Sequence, residues 1–215
     1  MIQIVENTNR SGLITVTTVG LPSTIKHPEI SIEVNNSELR EEAEIFLRYI
    51  ADYLIQYQKQ IRAGETLAYG YWLVKFEQAE ADILEIWEQD VVGAEFVKGA
   101  DLALTYWRDQ HQTCSQHAAE FKPPHLNQLT VVSDGVFEGL PIKAVRYPSP
   151  DHMSGWWLIT SKYDGNIKNL RNEHSFHVTA RRPDVARFLA LPSGFRFDTD
   201  TGNVWLDEEV ANATA

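Results

Sequence analysis

The 215-residue sequence has a single cysteine, Cys114, and no long apolar run. One cysteine forms no disulfide within the chain, which fits a reducing compartment. No stretch of about 18 apolar residues occurs, so we expect no transmembrane helix and no membrane partner. The first ten residues lack a basic start followed by an apolar segment, so we expect no signal peptide. These absences favour a protein that acts in the cytoplasm.

Basic residues are scarce as well, since 30 acidic and 19 basic residues give a net charge of −11. Phosphate backbones repel such a chain, so we expect no nucleic-acid partner, whereas a basic protein is attracted to it. The excess lies in the first half: 19 acids and 10 bases precede His125, and 11 acids and 9 bases follow it. The densest acidic stretch provides five candidate contact residues, Glu77, Glu80, Asp82, Glu85 and Glu88.

The common catalytic and cofactor-binding motifs are absent. The sequence contains no Gly-x-Gly-x-x-Gly, no P-loop, no Gly-x-Ser-x-Gly and no His-Glu-x-x-His. We therefore expect a protein without a cofactor and without catalytic residues.

Cys114 leaves an enzymatic alternative open. His111 and His117 lie about one helical turn from it in a predicted helix, and a neighbouring imidazole can activate a thiol. The thiol falls late in that helix, however, where the helix dipole disfavours a thiolate. A thiol-dependent hydrolase or transferase is therefore one alternative function. A second alternative, from outside the enzymes, is a structural adaptor of a secretion apparatus.

Two other clusters resemble metal sites without meeting their requirements. His174 and His177 lie three positions apart on a predicted strand, so their rings point to opposite faces. The acidic segment 198–203 has Gly202 at its fifth position, whereas an EF-hand loop needs glycine at the sixth. We expect no metal site and interpret this segment as a hairpin turn.

Hydrophobic periodicity predicts an α+β protein whose first part is an antiparallel sheet with two helices. Residues 29–34 alternate between apolar and polar side chains, which is typical of a half-buried strand. Helical spacing predicts one helix from Asn36 or Ser37 to Ala63 and a second over 100–117. A turn is expected at 20–22, and further strands are expected over 13–19, 67–76 and 82–88. This acidic domain spans residues 1–122, and Pro123-Pro124 marks a connector.

The second part, residues 126–210, is predicted to be β-rich with one short helix, and residues 211–215 are predicted to be a disordered tail. The short helix is expected over 182–191, since Pro183 suits its first turn. The strands are expected over 129–133, 142–147, 155–161, 174–180, 195–197 and 204–206.

Tryptophan is frequent, with six residues in the chain. Trp156 and Trp157 are adjacent on a predicted strand, so their side chains point to opposite faces of the sheet. One of them faces away from the core unless both sheet faces are covered. An exposed tryptophan beside Asp151 and His152 makes a good anchor for a protein interface.

Several short motifs of the second half resemble one known family. They are Val132-Ser-Asp134, Glu138-Gly-Leu-Pro-Ile142, Val145-Arg-Tyr147, Ser154-Gly-Trp156, Tyr163-Asp-Gly-Asn166 and Leu191-Pro-Ser-Gly-Phe195. Over about residues 129–207 they resemble the immunity protein 33 family of bacterial polymorphic and secretion-delivered toxin systems. The resemblance implies a protein that is encoded beside a toxin and neutralises it by binding. Where the family has an acidic stretch before the Ser-Gly-Trp element, this sequence has Pro148-Ser-Pro-Asp-His152, with one acid.

Together these features predict an immunity protein that binds a cognate toxin. A basic toxin such as a nuclease suits the acidic chain on electrostatic grounds. The expected contact residues are Asp151, His152, Trp156 and Trp157, with the five acids named above as a second patch.

Overall fold

The computed structural model describes residues 2–212 and divides into two compact units. The first unit comprises residues 1–90 and 94–105, and the second comprises 91–93 and 106–215. Of the tail expected at 211–215, Ala211 ends a short helix, and residues 213–215 lie outside the described part of the chain. None of the helices within residues 2–212 is long and apolar enough to cross a membrane.

Within the described residues, seven strands of the first unit form one sheet in the order β1-β2-β3-β6-β5-β4, with β7 beside β6. A helix, α3, begins in this unit and ends in the second. The elements are β1 (Gln3–Thr8), β2 (Ile14–Val19), α1 (Leu21–Ile25), β3 (Glu29–Val34), α2 (Arg40–Tyr57), β4 (Thr66–Tyr69), β5 (Trp72–Glu80), β6 (Ile83–Gln89), β7 (Phe96–Lys98) and α3 (Asp101–Gln116).

The core of the first unit lies between one face of this sheet and α2. Alternate residues of β2 and β3 are buried there, including Val16 and Ile32. The apolar stripe of α2, which contains Phe46 and Leu54, is buried against β1, β2 and β3. The Asn36 side chain accepts a hydrogen bond from the Glu38 amide and starts the turn that leads into the helix.

The first unit differs from the expectations in four places. The long helix ends at Tyr57, because Gln58 adopts a left-handed conformation with φ of 49° and its amide caps the helix. Gly70, with φ of 59°, makes a turn that divides the expected 67–76 strand into β4 and β5. The 20–22 segment, expected to be a turn, forms the start of α1. In addition, β3 pairs with β6 in parallel, so the sheet is mixed.

In the second unit, the described residues form a sheet of six strands in the order β11-β8-β10-β9-β12-β13. Its core contains Trp156, Leu158, Leu189 and Phe197, all buried on one face of the sheet. The elements are β8 (Leu129–Val132), β9 (Lys143–Arg146), β10 (Met153–Ile159), β11 (Arg171–His174), α4 (Ser175–Arg181), β12 (Phe195–Asp198), β13 (Val204–Leu206) and α5 (Glu208–Ala211).

The strand expected over 174–180 is instead a helix, α4. The amides of Ser175 and Phe176 donate to the carbonyls of Gln128 and Leu126, so groups distant in sequence satisfy the first turn of the helix. The helix expected over 182–191 is a 3₁₀ helix from Pro183 to Phe188. These changes are local, and the α+β fold class predicted from sequence is confirmed.

Candidate functional site

The Ser-Gly-Trp element lies at the start of β10 and is built into the core. Ser154 is buried, and its hydroxyl lies 2.8 Å from the hydroxyl of Thr130 on β8. The Thr130 hydroxyl in turn lies 2.8 Å from that of Ser175, which donates to the Gln128 carbonyl. This chain of hydroxyl groups joins β10, β8 and the start of α4.

Gly155 is required where the 147–152 loop meets β10. Its φ is +80°, and a Cβ there would lie 2.3 Å from the Tyr147 carbonyl oxygen and 3.1 Å from Ser149 Oγ. The Tyr147 amide donates to the Gly155 carbonyl over 2.9 Å. The absence of a side chain therefore allows the loop to pack against the strand.

Trp156, which is buried, and Arg146, which is partly buried, support this loop. Trp156 is fully buried, and its indole nitrogen donates to the Leu189 carbonyl over 3.0 Å. The guanidinium of Arg146 lies over the Trp156 ring and donates to backbone carbonyls of Ser154, Lys122, Leu189 and Leu191. Burial lowers the pKa of Arg146 to about 10, so it remains charged at neutral pH. Trp156 is not available to a partner.

Trp157 faces the opposite side of the sheet and is half-buried. Its ring contacts the ring of Tyr147 edge to face, with centroids 5.7 Å apart. A groove of about 370 Å³ lies beside it, and Pro148, Pro150 and Met153 also line this groove. One of the two adjacent tryptophans therefore faces away from the core, and it is Trp157.

The 147–152 loop is a ridge with a groove on each side. The second groove, of about 350 Å³, is lined by Arg146, Asp151 and Lys122 among other residues. Asp151 and His152 are exposed on the ridge, and their carbonyls accept hydrogen bonds from Gln128 Nε2 and the Leu129 amide. We call this region the loop surface, defined by Tyr147, Pro148, Pro150, Asp151, His152, Met153 and Trp157.

The structure thus brings Asp151, His152 and Trp157 together and adds residues that sequence reasoning missed. Tyr147 and Met153 are the most important additions, because they flank Trp157 along the groove. Met153 could have been found from sequence, since positions 153 and 157 share one face of a strand with a period of two. Tyr147 reaches the surface through the loop, and no sequence pattern indicates that contact.

Four of the five acids predicted as a second contact patch lie on the β5–β6 hairpin, outside the core. Glu77 and Glu85 are cross-strand neighbours on β5 and β6, on the sheet face opposite the core. Lys75 forms an ion pair with Glu77, and Lys98 lies 2.7 Å from Glu85. Two more of these acids are exposed: Glu80 is the last residue of β5, and Asp82 lies in the turn to β6.

Glu88 points to the other face of the sheet and is buried, with 7% of its surface exposed. Its carboxylate accepts hydrogen bonds from the amides of Leu102 and Ala103 at the start of α3, over 3.0 and 2.7 Å. Burial raises the pKa of Glu88 to about 7, despite these hydrogen bonds. Glu88 is therefore a helix cap inside the first unit and not a surface contact.

Burial has the larger effect on the pKa of the Cys114 thiol, although the nearby charge of Arg146 favours a thiolate. Burial raises the pKa of its thiol to about 11, so it is protonated at neutral pH. In the described part of the chain, no hydrogen bond joins its sulfur to His111 or His117. The His111 ring is instead stacked on Phe121 with centroids 3.8 Å apart, and burial lowers its pKa.

Residues 2–212 contain no group of three or more side chains placed to hold a metal ion. His174 and His177 have ring centroids 5.8 Å apart, at the start of α4. The Asp198 carboxylate accepts hydrogen bonds from the amides of Asp200 and Thr201 within the β12–β13 turn. That acidic segment therefore has the contacts of a hairpin turn.

The Glu138-Gly-Leu-Pro-Ile142 motif is held in place by a buried arginine, Arg182. The guanidinium of Arg182, which is buried, donates to the carbonyls of Val136 and Leu140 over 3.0 and 2.9 Å. It also forms a bidentate pair with Asp184. Arg182 thereby holds the turn that contains Glu138-Gly-Leu-Pro-Ile142.

The Ser154-Gly-Trp156 motif thus supports the loop surface, and Arg182 holds the Glu138–Ile142 turn. Residues 109–207 match the family model of the Imm33-like domain. This match confirms the resemblance to the immunity protein 33 family and extends it upstream into α3. No curated protein and no solved structure matches the chain.

The Imm33-like domain covers 99 of the 215 residues and lies wholly within the second unit. The loop surface belongs to this domain. The acidic sheet of the first unit lies outside it, so the relationship to an immunity family concerns the second unit alone.

Proposed function

We propose that this chain is an immunity protein that neutralises a cognate toxin by binding it through the loop surface of the Imm33-like domain. The match to that domain carries the proposal. It is supported by the arrangement of the domain, in which Ser154, Gly155 and Trp156 hold the fold while the neighbouring ridge is left exposed.

The loop surface has the composition of a protein-binding site. Tyr147 and Trp157 provide aromatic area, and aromatic side chains supply much of the affinity in protein interfaces. Two prolines stiffen the ridge, which reduces the entropy lost on binding. Asp151 and His152 provide polar groups at its rim. The proposed contact set therefore keeps Asp151, His152 and Trp157, adds Tyr147 and Met153, and leaves out the buried Trp156.

Electrostatics favour a basic toxin, such as a nuclease. The first unit has 17 acids and 8 bases, a net charge of −9, and the second has 13 acids and 11 bases, a net charge of −2. Such an asymmetry speeds the approach of a basic partner and weakens as salt is added. Glu77, Glu80, Asp82 and Glu85 remain candidates for a second contact, and Glu88 does not because it is buried. We propose that the encounter takes place in the cytoplasm.

The first experiment is co-expression with the product of the adjacent gene, with cell growth and co-purification as readouts. Rescue of growth together with a stable complex supports immunity by binding. If the neighbouring protein is toxic alone and is neither bound nor neutralised, the proposal is wrong.

A pair of matched variants locates the surface. Trp157→Ala should weaken the complex by about 2 kcal/mol or more, or roughly thirtyfold, as expected for an anchoring tryptophan. Trp205→Ala is the control, because Trp205 is a tryptophan 43% exposed on β13, separated from β10 by β9 and β12. Equal losses in both variants, at unchanged thermal stability, would contradict the assignment of the loop surface.

A further inference from the structure

Arg146 is a partly buried cation without an acidic partner. Its guanidinium forms no ion pair with an acid among the described residues. Two other enclosed arginines of the second unit each have one, since Arg182 pairs with Asp184 and Arg196 pairs with Asp207, both over 2.7 Å. A charge that is taken out of water without a counter-ion is costly. A carboxylate supplied from outside the chain would therefore be bound favourably at Arg146.

One nitrogen of this guanidinium, Nη2, is left for a ligand. The Nε and Nη1 atoms donate to four backbone carbonyls, whereas Nη2 makes no hydrogen bond within the described part of the chain. Nη2 is also open to solvent, because the enclosed polar side-chain atoms without a partner belong to other residues. A guanidinium nitrogen only donates, and a carboxylate is the acceptor that it binds most strongly.

The groove of about 350 Å³ on one side of the 147–152 loop is lined by Arg146. Ser149 and Ser193 also line it, and their hydroxyl groups can donate to an anion. The wall that contains Ser193 is fixed along the arginine, because the Gly194 amide donates to the Arg146 carbonyl over 2.8 Å. The groove is therefore already formed in the folded unit.

Net charge does not select a ligand for this groove, because acids and bases around it nearly balance. Lys122 lines it and pairs with Glu120 over 3.1 Å, and Asp151 lines it as well. The Asp151 carboxylate pairs with neither base in the described residues, whereas its carbonyl is held by Gln128 Nε2. Burial lowers the pKa of Arg146 to about 10, and no carboxylate of the described chain opposes this shift. The preference for an acid comes from the free donors of Arg146.

We propose that this arginine groove, defined by Lys122, Arg146, Ser149, Asp151 and Ser193, binds an aspartate or glutamate side chain of the partner that covers the loop surface. The carboxylate accepts a hydrogen bond from Arg146 Nη2 and provides the missing counter-ion. A side chain is the source that fits, because the groove runs beside the exposed ridge and a surface lying on the ridge reaches into it. The inference rests on the proposed function for the identity of the partner: it assigns the toxin an acid at this contact, even where the toxin is basic overall.

Acetate tests the groove itself and needs no toxin. It is titrated into the full chain at constant ionic strength and pH 7, and the NMR signals of the arginine Nε–H groups are followed. The Arg146 signal should shift and saturate with a dissociation constant on the order of 10 mM. The Arg182 signal should stay in place, because Asp184 already occupies that guanidinium. Acetamide, a neutral molecule of the same shape, should shift neither. A stationary Arg146 signal, or equal shifts at both arginines, would overturn the proposal.

Two serine variants form a matched pair, and Arg146 itself is kept because four carbonyls depend on it. Ser193→Asp places a carboxylate of the chain in the groove and should weaken acetate binding at least about fivefold. Ser161→Asp adds the same charge at an exposed position beyond the end of β10 and should change it less than about twofold. Asp151→Asn should leave acetate binding equal or stronger. Equal effects of the two serine variants, or weaker binding in Asp151→Asn, would contradict an acid-binding groove. Circular dichroism confirms that every variant is folded.

Two short peptides identify the source of the carboxylate. One has a central aspartate and blocked ends, and the other has a free C-terminal carboxylate and no acidic side chain. The aspartate peptide should bind more tightly, and the reverse order would overturn the assignment to a side chain.

The complex with the toxin separates this proposal from the proposed function. Ser193→Asp should weaken the complex at least about tenfold, as expected for an occupied central contact. A toxin that binds both serine variants equally well would overturn the arginine groove and leave the immunity function intact. A toxic neighbour that is neither bound nor neutralised would overturn the immunity function, while the acetate result would still stand.

Discussion

Replacing Gly155 with alanine tests how closely the loop surface depends on the strand beneath it. A non-glycine residue at φ of +80° costs about 1 kcal/mol by itself. The new Cβ would also lie 2.3 Å from the Tyr147 carbonyl oxygen, which is backbone and cannot rotate away. The loop must then move by about 1 Å and lose the hydrogen bond from the Tyr147 amide, which leaves polar backbone groups unpaired at about 2 kcal/mol. The expected total is about 3 kcal/mol.

Gly165→Ala is the matched control, because Gly165 has φ of +86° with no atom within 4 Å of the added Cβ. With a slope of about 2 kcal/mol per molar urea, the control should lower the unfolding midpoint by about 0.5 M and Gly155→Ala by about 1.5 M. Hydrogen exchange should show that the loss of amide protection lies in β9 and β10. Toxin affinity should fall only in Gly155→Ala. If both variants unfold at the same urea concentration, the close approach of loop and strand does not contribute as argued.

Three further outcomes follow from buried groups. Burial raises the pKa of Glu88 from 4.5 to about 7, so the folded chain binds a proton that the unfolded chain has lost between these pH values. The free energy of unfolding should therefore fall by about 3 kcal/mol as pH rises from 4.5 to 7.5. Glu88→Gln should remove this pH dependence in urea titrations, and an unchanged dependence would contradict the raised pKa of Glu88. Arg182→Lys should cost about 2–4 kcal/mol by leaving carbonyls of the 136–140 turn unpaired, whereas Arg62→Lys, exposed in the first unit, should be nearly neutral. Cys114, with its pKa raised to about 11, should react with iodoacetamide at pH 8 about 100-fold more slowly in the folded than in the unfolded chain; equal rates would indicate an accessible thiolate.

Features set by local spacing were predictable from the sequence. The alternation over 29–34 indicates a strand that is buried on one face; β3 has the same bounds, and Ile30, Ile32 and Val34 are buried as the pattern predicts, while Ser31 on the other face is buried as well. The α+β class and the family resemblance also follow from patterns along the chain, and both are confirmed. The pair Trp156-Trp157 predicts one inward and one outward ring, because neighbouring residues on a strand point to opposite faces.

Other features depend on contacts between distant parts of the chain. Which of the two tryptophans faces outward is decided by the packing of Trp156 against Leu189 and Phe197. The segment after His174 is helical because carbonyls near residue 127 accept its first amides, although its composition favours a strand.

The acidic stretch shows the same division. The sequence by itself determines how many carboxylates the stretch carries, and hence the negative charge that attracts a basic partner. The tertiary structure alone decides that Glu88 is buried as a helix cap while Glu77 and Glu85 remain at the surface beside lysines. Burial and pairing depend on which strand and helix face each side chain, and neither can be read from charge along the chain.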